Sequence, residues 1–278
     1  MNSFYTDMSN EVYHASDGVS KSMLDLIHID PTLIEWSKRC HVQTTKAFQF
    51  GTSLHAYLLE YKLFCKNYII APIIDKRTKV GKEIWNKFLK ENINKTVLNP
   101  EDHTKIINMG KSVLSHPIVN ELYKQKIYTE CSLFTYQPDV ELLLKARPDM
   151  VSKDKNDNII IIDIKTIDDI DNIQRNIVKY RYYVQAAHYM SVLFHNKEIN
   201  LKINNQLKFV FIFIAKKMSG GKYPVRVVSL DEKSIDIGIE EVTIDLYNYA
   251  KFKKQEDKNT IPLISLPSWK VKEHEINA

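Results

Sequence analysis

Pro148-Asp149 and Asp163-Ile164-Lys165 put two carboxylates and an ammonium within reach of one another. Asp163 and Lys165 stand two apart on a segment that reads as a strand, so their side chains leave the same face. Ile164 points the other way, into apolar packing. Asp149 lies near the end of the preceding strand. A hairpin through the polar turn Lys153-Asp-Lys-Asn-Asp-Asn158 brings its carboxylate beside Asp163. Such a trio suits phosphodiester hydrolysis, in which an anionic phosphate gains charge near the reacting oxygens. Hard divalent cations stabilise that charge and acidify a bound water. Magnesium takes one or two protein carboxylates, with water and phosphate completing its shell. Lys165 can orient the water, help deprotonate it, or neutralise developing charge, and the sequence leaves all three open. The alternative is an incidental Asp-Xaa-Lys on a surface hairpin. Against it stands the apolar strand around Asp163, where an unpaired carboxylate is expensive.

The elements that must position these residues follow from periodicity. Ser20 can cap a helix entered at Lys21-Ser22-Met23-Leu24. A second helix spans about Ala47 to Tyr61, with Phe50, Leu54, Leu58 and Tyr61 as its core face. Further helices lie near 80–92 and 101–115. Glu130–Tyr136 and Glu141–Val151 read as strands, and the β-branched run Ile159–Ile164 as a buried central strand. Residues 128–165 thus form a three-stranded meander. A long helix from about Asp171 to His195 follows, then strands Leu207–Ala215 and Tyr223–Ser229, then a helix over about Asp231–Lys253. The expected fold is α/β, a mixed central sheet flanked by helices. Residues 1–278 read as one domain, with 1–127 mainly helical and 128–278 the sheet core that carries the metal site.

Composition narrows the class. The 278 residues are 44% hydrophobic and 26% charged, as in a globular chain. Three scattered cysteines, Cys40, Cys65 and Cys131, form neither a disulfide framework nor a zinc pattern. No signal peptide opens the sequence and no apolar run reaches the roughly 18 residues of a membrane span, so a cytoplasmic protein with reduced thiols is expected. The net charge of +5 tolerates a polyanionic partner. A basic stretch from Lys76 to Lys95 is either a solvated helix face or a phosphate contact.

The ordered motifs resemble the RecE-type exonuclease domain of the PD-(D/E)XK nuclease superfamily, which also holds lambda exonuclease and the RecB nuclease domain. Tyr13-His14-Ala15 with Gly18-Val19-Ser20-Lys21-Ser22 is similar to the family's start, and Phe50-Gly51-Thr52-Ser53-Leu54-His55-Ala56 to its Phe-Gly-Thr-x-x-His helix. Lys145-Ala146-Arg147-Pro148-Asp149 and Asp163-Ile164-Lys165-Thr166 resemble its metal-site strands. Gln185-Ala-Ala-His-Tyr189 fits the RecB-like Gln-x-x-x-Tyr pattern, and Leu266-Pro267-Ser268-Trp269 the C-terminal Leu-Pro-x-Trp. There is no cysteine quartet for an iron–sulfur cluster and no P-loop for an ATP motor.

The resemblance implies a restriction-endonuclease-like core and a set of roles. His55, Asp149, Asp163, the Ile164 carbonyl and Glu130 are metal ligands, for two Mg2+ ions that Mn2+ can replace. Lys165, with Asp149, Asp163, Gln185 and Tyr189, serves the chemistry. Ser20, Lys21, Ser22 and Arg147 contact DNA. Bland readings stand beside these: His55 satisfied in helix packing, Glu130 a strand-end surface carboxylate, Gln185 and Tyr189 a polar helix stripe, Arg147 an ion pair. The implied activity is 5′→3′ degradation of one strand of linear duplex DNA, leaving a 3′ single strand for recombination in phage or prophage. The implied partners are double-stranded DNA ends, a single-strand annealing protein of the RecT type, and further copies of the chain in a ring of three or four. An endonuclease or flap nuclease, or a DNA-binding module with a decayed site, are the rival readings.

Overall fold

The computed structural model describes residues 2–39, 45–199, 201, 206–254 and 265–268. Cys40 and Trp269 lie outside the described residues. In chain order the elements are β1 (Ser3–Tyr5), α1 (Asn10–Ala15), α2 (Lys21–Ile29), α3 (Leu33–Arg39), α4 (Lys46–Leu59), α5 (Tyr61–Asn67), β2 (Tyr68–Ile70), α6 (Lys79–Glu91), β3 (Thr96–Leu98), α7 (Pro100–Leu114) and α8 (Pro117–Lys124). Then follow β4 (Lys126–Thr129), β5 (Ser132–Gln137), β6 (Leu142–Ala146), β7 (Met150–Lys153), β8 (Ile159–Ile167), α9 (Ile173–Lys179), α10 (Tyr182–His195), β9 (Leu207–Ala215), β10 (Val225–Ser229) and α11 (Glu232–Lys254).

The central sheet has the order β10-β9-β8-β7-β4. Its β8–β9 pair is parallel and its other pairs are antiparallel, so the sheet is mixed. Strand β8 lies in the middle with both faces covered, which is why its sequence is a run of isoleucines rather than an alternation. Ile159 and Ile161 face one core, with Phe209, Phe211 and Phe213 of β9, Val184 and Leu193 of α10 and Leu246 of α11. Ile160, Ile162 and Ile164 face a second core, with Leu54 and Leu58 of α4 and Ile106, Met109 and Val113 of α7. Period-2 alternation therefore sends Asp163 and Lys165 to the α10 side.

Several expected elements differ in the structure, each for a physical reason. The meander is bent across two sheets. Strand β5 pairs with β6 in a sheet of order β1-β5-β6, whereas β4 pairs with β7 in the central sheet. The expected strand Glu141–Val151 is thus two strands, broken at Arg147-Pro148-Asp149, because proline has no N–H to continue a ladder. The strand expected from Glu130 begins only at Ser132, since Glu130 adopts a left-handed backbone with φ 49°. The helix expected over Asp171–His195 breaks at Arg181, also left-handed at φ 49°. There the guanidinium bonds Glu241 (2.8 Å) and Asp245 (2.7 Å) of α11 and the Leu24 carbonyl of α2 (3.3 Å). The helix expected to reach Tyr61 stops at Leu59. Tyr61 opens α5 and is 60% exposed, so it is no part of the core face that Leu54 and Leu58 supply.

Helices α10 and α11 cross at Gly238. A Cβ there would lie 2.5 Å from the Tyr183 carbonyl oxygen and 2.9 Å from the Ala187 Cβ. Gly51, in the middle of α4, faces open space: beyond its own stretch of helix, nothing lies within 4 Å of an added Cβ. Gly238→Ala is expected to cost about 1–3 kcal/mol through overpacking, although it removes a poor helix former. Gly51→Ala is expected to gain up to about 1 kcal/mol from helix propensity alone. Urea unfolding midpoints at constant m-value check both signs.

Candidate metal centre

The bend between the two sheets builds the site. Both chains of the β4-β5/β6-β7 ribbon change sheet at the same level, one through Glu130 and Cys131, the other through Arg147-Pro148-Asp149. The Glu130 N–H donates to the Asp149 carbonyl across this corner at 3.0 Å. The pairing of β7 with β8 ends at Met150↔Ile162. Beyond it, the buried Ile164 N–H would lack an acceptor, and the Asp149 carboxylate takes that place at 2.6 Å. Its other oxygen lies 3.3 Å from Nδ1 of His55 on α4.

One ligand atom each from His55, Glu130 and Asp149 lies within 4.8 Å of the other two. Asp163 stands beside this trio, engaged otherwise. Its Oδ2 is 2.7 Å from Lys165 Nζ, and its Oδ1 accepts a hydrogen bond from Gln185 Nε2. Tyr189, one turn along α10, packs against Phe209 and lies in the field of Asp163 and Asp149. The Ile164 N–H is taken up by Asp149, so Ile164 turns the same edge of its backbone toward this corner.

Burial opposes charge on all these groups, and their mutual fields decide the outcome. Burial works against protonation of His55, but Asp149, Glu130 and Asp163 lift its imidazole to about 9. Burial would raise Asp149, yet His55, Lys165 and the Ile164 N–H hold it below the usual carboxylate range. Burial raises Asp163, and Asp149 adds to the rise. Glu130, desolvated and facing Asp149, is pushed up to about 7 despite its Arg147 partner. Burial would lower Lys165, but Asp163 and Asp149 keep it an ammonium. Three carboxylates thus depend on neighbouring cations, one of which is a protonated histidine. Two carboxylates and an imidazole converging in a part-buried corner are a donor set that fits a divalent cation of the Mg2+ or Mn2+ kind.

The other expected site residues lie around this corner. Ser20 Oγ accepts the Met23 N–H as a helix cap and sits 3.0 Å from Ser22 Oγ. Lys21 Nζ pairs with Asp25 at 2.6 Å and donates to the Tyr180 carbonyl at 2.7 Å. It also lies 5.9 Å from the Tyr182 ring, which Lys165 Nζ approaches to 5.2 Å. Arg147 takes the ion-pair form. Its side chain, 9% exposed, bonds Glu130 (2.8 Å), Ser132 Oγ (2.6 Å) and the Met8 carbonyl (2.9 Å), so its hydrogen-bonding groups are engaged within the protein.

Two roles escaped the sequence reading. Lys145 is buried and clamps the end of α1 through the carbonyls of Tyr13 (2.9 Å) and Ser16 (2.6 Å). Together with Arg147 it fastens residues 8–16 to the corner. Their alternation with Asp149 was the available signal, as both are long cations inside an otherwise apolar strand. Tyr182, whose ring neighbours both Lys21 and Lys165, carried no signal beyond its place one turn before Gln185. Of the thiols described, Cys65 is exposed and Cys131 buried.

Residues 32–261 match the family described as PDDEXK-like domain of unknown function (DUF3799). The chain belongs to that family. Its mixed sheet and flanking helices are accordingly a restriction-endonuclease-like fold. The structure is similar to that of a "putative exonuclease" from Eubacterium rectale, with a TM-score of 0.57 at 9% identity, over 95% of this chain and 98% of the other. At that identity the likeness concerns the fold. A second solved structure, SSO0001, aligns at 16% identity over 70% of this chain and 86% of the other, with a TM-score of 0.28, and carries no argument. No curated protein sequence matches the chain. Among the described residues no helix is long and apolar enough to cross a membrane.

The imidazole gives the donor set a testable preference. Divalent cations with nitrogen affinity gain from His55, whereas Mg2+ depends on oxygen ligands. Titration calorimetry should find Mn2+ bound more tightly than Mg2+. His55→Ala should weaken Mn2+ by at least about tenfold, as for loss of a metal-site partner, and Mg2+ by less. Equal losses for the two ions would mean that His55 acts only as the partner of Asp149.

Proposed function

We propose that the chain is a metal-dependent DNA nuclease, acting as a 5′→3′ exonuclease on linear duplex ends. The observation that carries this reading is the corner itself: His55, Glu130 and Asp149 converging beside the Asp163–Lys165 pair, in a chain of the PDDEXK-like family. In the mechanism, Glu130, Asp149 and His55 would hold the cation together with Asp163 beside them. Bound there, a divalent cation supplies charge stabilisation for the phosphate and acidifies water. The residues of the chain do the rest. The Ile164 N–H and the Glu130–Asp149 backbone bond fix the carboxylates before substrate arrives. Gln185 holds Asp163 in one orientation. Lys165, an ammonium between two carboxylates, orients the attacking water and offsets charge on the phosphate.

The distribution of charge supports a polyanionic substrate. Residues 76–95 contain seven Lys and Arg against Glu83 and Glu91, a net of +5, equal to that of the whole chain. Helix α6 within this stretch places Lys79, Lys82, Asn86 and Lys90 along one stripe at helical spacing, all exposed. The direction of digestion, the 3′ single strand it leaves, the RecT-type annealing partner, the closed ring of three or four copies and the use of all 278 residues as one domain rest on the family resemblance alone, and we propose them on that basis.

Linear duplexes labelled at either the 5′ or the 3′ end, with and without Mg2+, test the activity. Release of 5′ label first, dependent on metal, is the expected result. Asp163→Asn and Lys165→Ala should each lower cleavage by orders of magnitude, since metal-assisted stabilisation amounts to several kcal/mol and about 1.4 kcal/mol is tenfold in rate. Both should retain duplex binding, with thermal unfolding as the control for fold. Cleavage of circular DNA would point to an endonuclease. Binding without any cleavage in Mg2+ or Mn2+ would leave only a DNA-binding module.

The basic stripe has its own test. Replacing Lys79, Lys82 and Lys90 together with Gln should weaken duplex binding and lower the slope of log K against log salt by about 2.7, or 0.9 per phosphate contact. An unchanged slope would make α6 a solvated face.

A further inference from the structure

An aromatic column leads from the core of the sheet to the surface beside Lys165. Phe211 and Phe213 of β9 stand opposite Asp163 and Lys165 in the parallel register. The Tyr182 ring packs on both, with centroids 5.5 and 6.0 Å away. Tyr180 stacks on Tyr182 at 5.6 Å with an interplanar angle of 28°, and ends the column half in solvent, 45% exposed. Three lysines surround it. Lys165 Nζ lies 5.2 Å from the Tyr182 ring, Lys21 Nζ lies 5.9 Å from the same ring and holds the Tyr180 carbonyl, and Lys179 Nζ lies 5.2 Å from the Tyr180 ring.

A surface tyrosine ordinarily moves freely. Tyr180 is backed by a second ring, and its backbone is fixed at the α9–α10 break by Lys21 and by the ties of Arg181 to α2 and α11. It is a backed π-face one ring away from Lys165, the group that would serve the water, in a cationic surround. Every nucleobase has a π-face, so such a platform holds a base without reading its identity. Adjacent ammonium groups suit the phosphates on either side of that base.

We propose that Tyr180 is a stacking platform for a nucleobase flanking the scissile phosphate, and that Tyr182 keeps its ring in place. The proposal rests on the nuclease reading of the metal centre. It assigns a substrate contact on the loop between α9 and α10, outside the metal cluster and the basic stripe of α6.

The test uses the full chain and duplexes carrying 2-aminopurine, or an abasic nucleotide, at the terminal and next positions of the digested strand. With Ca2+ replacing Mg2+, wild type should quench 2-aminopurine on binding, and Tyr180→Ala should not, while Tyr180→Phe and Tyr180→Trp should. In Mg2+, Tyr180→Ala should raise KM about 5- to 150-fold on normal ends, the range for one lost base stack. Wild type should lose a comparable factor on abasic ends, and Tyr180→Ala should treat abasic and normal ends alike. A merely structural tyrosine would leave the preference for a base over an abasic site intact, and that result overturns the proposal. Wild type that cleaves but shows neither quenching nor discrimination overturns it while the nuclease reading stands. Wild type that neither binds nor cleaves duplex DNA overturns both.

Discussion

The site depends on one carboxylate that does two jobs. Asp149 accepts the Ile164 N–H where the β7–β8 ladder ends, and it faces His55 with its other oxygen. A buried backbone donor without an acceptor costs on the order of 1–3 kcal/mol, so the fold itself has reason to keep the carboxylate in this place. The same contact holds a negative charge in a part-buried position, where cations are drawn to it. Structure and proposed chemistry therefore share one group, and the orientation of this candidate ligand is set by the edge of the strand pairing.

That carboxylate stands where it does because two strands change sheets together. A flat meander would carry Glu130 and Asp149 along an extended ladder, with ladder partners of their own. Bending the ribbon frees both side chains at the corner, and the Glu130 N–H to Asp149 carbonyl bond keeps the two breaks level. Arg147 then bridges Glu130, Ser132 and Met8, and Lys145 clamps the carbonyls that end α1. The N-terminal segment is thus anchored through the cations of the strand that leads into the metal corner. Disturbing that anchoring would reach Glu130 through its guanidinium partner.

Electrostatics gives the corner its character. Three carboxylates in one part-buried region repel one another, and no low-energy arrangement leaves all of them charged and unpaired. The protein answers with Lys165 on Asp163, Arg147 on Glu130 and a protonated His55 on Asp149. Of these, His55 is the group that also offers a ligand atom, once it gives up its proton. Asp149 is held low and Asp163 is raised, so two carboxylates close in space differ in how readily they carry charge. Such a split gives two neighbouring carboxylates different affinities for a proton, Asp163 sharing its charge with Lys165.

Much of this was legible in the residues. The isoleucine run of β8 identified the central strand, because only burial on both faces accounts for six residues with a single polar break. Asp163 and Lys165 shared a face by the period of a strand, and Gln185 and Tyr189 by that of a helix. The Phe-Gly-Thr-x-x-His pattern singled out His55 although it lies far from Asp149 in sequence. What the sequence could not determine is how the ribbon bends. Pro148 marked a break, but a break does not say into which sheet the chain continues, and Glu130 has no glycine-like signal for its left-handed backbone. Nor did the helix pattern foretell the turn at Arg181, since the energy that favours it comes from Glu241 and Asp245, some sixty residues away. Periodicity records which face of an element is buried. Which groups meet at its ends is decided by partners distant in sequence, and only the tertiary structure brings them together.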